Sequence, residues 1–159
     1  MSFWKKLVGA HNPPPKVSDP DFGPITFDGP YGNGDVGIWQ MDSEWEVPEH
    51  FAKVGCSSIP GTAAGPYELS RIFLLEKARD YPAIWARLHD QLASIRDKWA
   101  AQDSSVPLNQ SFFISSLGLD PNPADPPLWN VSFESTGKRW LFVTFNMQGN
   151  EIVGHTVDT

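Results

Sequence analysis

The chain has 159 residues, a formal net charge of −7, 40% hydrophobic residues, seven Trp and ten Phe. That length fits one domain able to bury a real core, and the aromatic residues supply its bulk. The acidic balance argues against nucleic acid phosphates and anionic lipid as partners, and a single cysteine, Cys56, excludes an internal disulfide.

The opening residues, MSFWKKLVGAHNPPPK, hold no apolar run of signal-peptide length. No stretch reaches the roughly 18 apolar residues of a spanning helix. The expected address is the cytoplasm, and the sequons at Asn109 and Asn130 are expected to carry no glycan. Phe3, Trp4, Leu7 and Val8 make one apolar stripe of a short helix, with Lys5 and Lys6 beside it. Too short to stand alone, it is expected to dock on the domain or to touch a partner or a membrane surface. NPPPK then stops any helix and forms a stiff spacer. Residues 1–15 thus read as helix and spacer, and 16–159 as a single α+β domain.

DPDFGPITFDG predicts a turn and then a strand with Ile25 and Phe27 on one face. Asn33-Gly34 is a strong hairpin signal. GIWQMDSEWEV follows as a strand or strand pair, with Ile38, Gln40, Asp42 and Glu44 on one face and Trp39, Met41 and Trp45 on the other, nearer the core. FAKVGCSSI is a further strand. From Tyr67 to Gln102, apolar residues recur in steps of three and four through Leu69, Ile72, Phe73, Tyr81, Ile84, Trp85, Leu88, Leu92, Ile95 and Trp99, the pattern of one buried helical stripe. Pro82 either opens a second helix, with Asp80 or Tyr81 as its cap, or kinks a single long one.

SFFISSLGL predicts a strand on Phe112, Ile114 and Leu117. LWNVSFES alternates Trp129, Val131 and Phe133, and RWLFVTFN alternates Leu141, Val143 and Phe145 against Trp140, Phe142 and Thr144. EIVGHTVD closes a three-stranded meander through Ile152 and Val157. Strands, then helices, then strands imply α+β: an antiparallel sheet of about five to seven strands with one long or two consecutive helices packed on one face.

Sequence signatures of chemistry are sparse. His11, His50, His89 and His155 stand at no zinc spacing with each other or with Cys56, and phosphate-loop, dinucleotide and nucleophile-elbow patterns are missing. No cofactor and no metal is expected. Cys56 reads as a core residue rather than a nucleophile. His155 and Asp158, three apart on a strand, point to opposite faces and do not make a dyad. The distinctive feature is charge: from Asp19 to Glu49 there are eight carboxylates and no Lys or Arg. Such a run solvates a face or meets a basic partner.

Asp19-Pro20-Asp21-Phe22-Gly23, Gly65-Pro66 and the paired closing strands, behind an FWKKLVG opening, resemble a group of small bacterial domains of unknown function, some of which serve as immunity proteins of polymorphic toxin systems. The resemblance covers most of the chain, except the Pro-rich stretch Pro121 to Pro127, which has no counterpart in it. It implies a non-enzymatic cytosolic protein that binds and blocks a toxin, and it assigns no binding residues. The charge run supplies them. Asp35, Trp39, Asp42, Glu44, Trp45 and Glu46 are expected to meet a basic protein partner, with the two tryptophans as anchors. The alternatives are a small hydrolase using carboxylates or His155, and an assembly component of a phage or secretion structure docking through the FWKKL segment.

Overall fold

A computed structural model describes residues 13–42, 45–46, 53–54 and 56–159. The expected helix near the N-terminus lies outside them. Eleven strands and three α-helices occur among the described residues, with a 3-10 turn at Ala101–Asp103: β1 (Lys16–Asp19), β2 (Gly23–Asp28), β3 (Val36–Met41), β4 (Trp45–Glu46), β5 (Lys53–Val54), β6 (Cys56–Thr62), β7 (Gly65–Pro66), α1 (Glu68–Arg79), α2 (Tyr81–Trp99), α3 (Leu108–Ser111), β8 (Phe112–Leu119), β9 (Leu128–Ser135), β10 (Phe142–Gln148) and β11 (Glu151–Asp158). Nine of the strands form one sheet in the order β1-β2-β3-β6-β8-β9-β10-β11, with β7 on β6, and β4 and β5 make a separate hairpin. The sheet is mostly antiparallel, as expected of α+β, but longer than the five to seven strands anticipated. The excess comes from two-residue and edge pieces such as β7 and β1, too short to carry a period-two signal.

One pair departs from the antiparallel rule. β6 and β8 run parallel, with Cys56 opposite Ser116 and Ser58 opposite Gly118. Parallel neighbours need a long crossover, and α1 and α2 supply it between β7 and β8. The same connection lays both helices against the sheet.

Arg79 ends α1 and Tyr81 starts α2, with Asp80 as the junction and Pro82 in the first turn of α2. The proline therefore opens a second helix, at the position where its missing N–H costs least. In α2 the buried stripe is Tyr81, Ile84, Leu88, Leu92 and Ile95, as the periodicity predicts. In α1 it is Ser70, Leu74 and Ala78. Leu69 and Ile72 point outward, and Leu69 is 81% exposed. A single stripe read across the Asp80 junction misses the change of phase, and small Ser and Ala at the packed positions gave no apolar signal.

The core lies between the helices and one sheet face. Ile25, Phe27, Trp39, Ile59, Ile114, Leu117, Val131, Phe133, Val143 and Phe145 are all buried there. Ile114 and Leu117 are three apart, yet both face inward because the register shifts between Ile114 and Ser116, a bulge that resets the alternation. Met147 and Ile152 likewise pair after a shift on β10 and β11.

At the turn between β9 and β10, Gly137 lies against the buried carboxylate of Asp103, whose Oδ2 has no hydrogen-bond partner among the described residues. A Cβ on Gly137 would overlap that carboxylate and stand 2.7 Å from its Cγ. Gly137→Ala is expected to destabilise the fold by about 1–3 kcal/mol through this overpacking. Adding Asp103→Ser should recover part of the loss, as read by denaturant unfolding of the two variants.

Candidate functional site

The carboxylates of the acid-only segment meet three different fates. Asp19 is buried at the end of β1. It takes a two-pronged guanidinium contact from Arg71 on α1, Nε to Oδ2 at 2.7 Å and Nη2 to Oδ1 at 3.2 Å. The backbone N–H groups of Asp21 and Phe22 also donate to its Oδ1. Burial alone would raise the Asp19 pKa, but the Arg71 bonds and these two N–H groups overcome it, and the carboxyl titrates below its ordinary value. Arg71 also binds Asp21 at 2.7 Å and Glu68 at 2.6 Å. Asp19 and Asp21 are therefore internal ties between β1 and α1, not a docking surface.

Asp42, just past β3, is exposed and accepts from Thr26 Oγ1 and from Lys16 Nζ at 3.0 Å. These two donors, the hydroxyl first, hold its pKa below the ordinary value. The third group sits at the tip of the β2–β3 hairpin. Among the described residues, Asp28 accepts only the Tyr31 hydroxyl, at 2.7 Å, and Asp35 makes no ion pair or side-chain hydrogen bond. Tyr31 is 47% exposed. Partial burial and the bond to Asp28 push its pKa up to about 12.

Trp39 must be corrected as a partner anchor. It is fully buried, its ring lies 5.3 Å from that of Phe27, and its Nε1 donates to the Thr62 carbonyl at 3.0 Å. The alternation that put it on the inner face of β3 is right, and a residue on that face does not reach a partner. Trp45 and Glu46 form β4, opposite Val54 and Lys53 of β5. Glu44 lies outside the described residues. Asp35 and Asp42 stand at opposite ends of β3, roughly 23 Å apart at the rise of an extended strand, with the buried Trp39 between them.

The outer sheet face, away from the helices, holds residues that the sequence reading set aside. Phe113 faces Glu134, Glu134 faces Phe142, and Phe142 faces Asp158 across β8 to β11. Trp140 stacks on Phe142 with ring centroids 6.1 Å apart and planes at 21°, and its Nε1 donates to Glu134 at 2.7 Å. The sequence signal was present in the outward parity of Phe113, Phe142 and Trp140, but those aromatics read as core material.

His155 is exposed and packs on Phe145 at 5.9 Å. It pairs with Phe145, so it shares the inner face, while Asp158 pairs with Phe142 on the outer one. The expected separation of the two holds. His89 is on the surface of α2 beside Asp90. An apolar groove of about 520 Å³ lies between the start of α2 and the α3–β8 junction, walled by Trp85, Phe112 and Ile114. Among the described residues no three His, Cys, Asp or Glu gather as a metal site, and no helix is long and apolar enough to cross a membrane.

No family model, curated protein or solved structure matches this chain.

Proposed function

We propose that this chain is a non-enzymatic protein that binds a basic protein partner and neutralises it, in the manner of an immunity protein against a toxin. One observation carries the reading. After Arg71 and Lys16 have taken their carboxylates, Asp28 and Asp35 at the hairpin tip have no cation partner among the described residues; Asp28 holds the hydroxyl of the exposed Tyr31, and Asp35 precedes Val36, whose carbonyl takes the Tyr31 backbone N–H. Unpaired charge beside an exposed Tyr suits a basic surface: charge steers the encounter and the ring anchors it. Asp42, Glu44, Trp45 and Glu46, beyond the other end of β3, belong to a second contact region.

The test begins with cross-linking in cells of the native host and identification of the attached protein. Its association with wild type and with Asp28→Lys/Asp35→Lys is then timed at low and high salt. The expected result is a basic partner whose association slows about tenfold in the variant at low salt, with the gap closing as salt rises. A neutral or acidic partner, or an unchanged rate, would overturn the reading.

A further inference from the structure

We propose that the outer sheet face around Trp140 accepts arginine side chains of a protein partner. The inference rests on the reading of a basic partner but uses a different surface. Val36 pairs with Thr62 at the hairpin-tip end of the sheet, whereas Phe113 lies at the other end, beyond the Cys56–Ser116 pair.

Residues directly opposite each other on neighbouring strands project to the same face. The pairings therefore place Phe113, Glu134, Phe142 and Asp158 in one row, aromatic and carboxylate in turn. Adjacent strands are about 4.8 Å apart, so the row spans roughly 14 Å. The neighbours Phe112, Ile114, Phe133 and Val143 are buried, which puts the row on the outer sheet face; Phe113, at its end, also borders the groove beside α2. Phe113 is 41% and Trp140 48% exposed, an unusual amount of open aromatic surface for one corner of a sheet.

The charges around it are uncompensated. Glu134 takes the Trp140 indole N–H on Oε1, and among the described residues neither Glu134 nor Asp158 has an ion pair. Arg139 is turned away, its guanidinium over the Trp99 ring at 5.9 Å. Lys138, in the same turn, pairs with neither carboxylate. An aromatic face bordered by a carboxylate matches guanidinium chemistry. The planar cation stacks on the ring while its edge donates to the acid. A lysine ammonium, compact and strongly hydrated, gains less from the flat ring. Phosphates are repelled, and a neutral sugar would use the indole but leave both carboxylates unanswered.

The experiment is an NMR titration of the full chain with the peptide Gly-Arg-Gly-Arg-Gly, its lysine counterpart and cellopentaose. A saturable shift of the Trp140 indole N–H and of the Phe142 and Asp158 amides is expected with the arginine peptide. Binding should be about tenfold weaker for the lysine peptide and for Glu134→Gln/Asp158→Asn. That double variant keeps side-chain shape and sits on the surface, and Trp140→Ala provides a second check. Asp28→Lys/Asp35→Lys should shift these signals as wild type does, so failure at the hairpin tip is separable from failure here. Equal response to the two peptides, no loss in the Glu134→Gln/Asp158→Asn variant, or response to the oligosaccharide alone would each overturn the proposal.

Discussion

Arg71→Met is expected to destabilise the protein by about 3–5 kcal/mol at neutral pH, because it strands a buried carboxylate. The Asp19 side chain is 4% exposed and that of Arg71 14%, so water cannot replace the guanidinium. Against a total stability of about 5–15 kcal/mol, the loss would leave a marginal fold. The pH dependence follows from the depressed Asp19 pKa. A carboxyl that titrates lower when folded contributes stability above its unfolded value, near 3.8, and loses it as pH falls through the folded value. Wild type should therefore weaken in acid through this group, and its advantage over Arg71→Met should shrink below about pH 4. Chemical unfolding of both proteins at pH 7 and pH 3 checks this. Adding Asp19→Asn to the Arg71→Met variant should restore part of the neutral-pH loss by removing the stranded charge. A constant gap across the pH range would place the effect of Arg71 in packing instead.

Trp39→Ala is expected to cost about 3–5 kcal/mol, the range for deleting a large buried aromatic. It removes the contact with Phe27 and leaves the Thr62 carbonyl without its indole donor. Trp39→Phe should fall between, since it keeps apolar bulk and loses the hydrogen bond. The result separates the two roles that the sequence suggested for this residue. A core tryptophan lowers the denaturation midpoint when removed. A surface anchor would leave the midpoint in place and weaken partner binding alone.

Alternation was readable wherever a strand was half buried and regular. Ile25 with Phe27, and Trp129 with Val131 and Phe133, were grouped by spacing, Trp39 with Met41 was set nearer the core, and all of them are buried. Pro82 marked the helix junction because its chemistry is local. What escaped was whatever depended on partners distant in sequence. Arg71 is i+3 from Glu68, which sequence can suggest, but Asp19 is 52 residues away along the chain. An acid-only run therefore looked like one open surface while its first members were already paired. The parallel join of β6 to β8 was equally hidden, since a strand carries no mark of its neighbour's direction. Position along β3 mattered as much: Asp35 and Asp42 are close in sequence, and an extended strand holds them apart.

The parallel join also shapes how the molecule comes apart. β1, β2, β3 and β6 make one ribbon, and β8 to β11 make another, each closed by comparatively short connections between antiparallel neighbours. Among the described residues three pairs, from Cys56–Ser116 to Ser58–Gly118, join the two ribbons in the parallel ladder. Bringing these pairs together means closing a long loop, so the seam is expected to form after the ribbons it unites and to part before them. Amide protons at Ser57 and Leu117 should then exchange through partial openings that leave Val131, Val143 and Phe145 protected. Such exchange would mark the parallel join as a line of weakness, spanned on one face by α1, which packs on both β6 and β8.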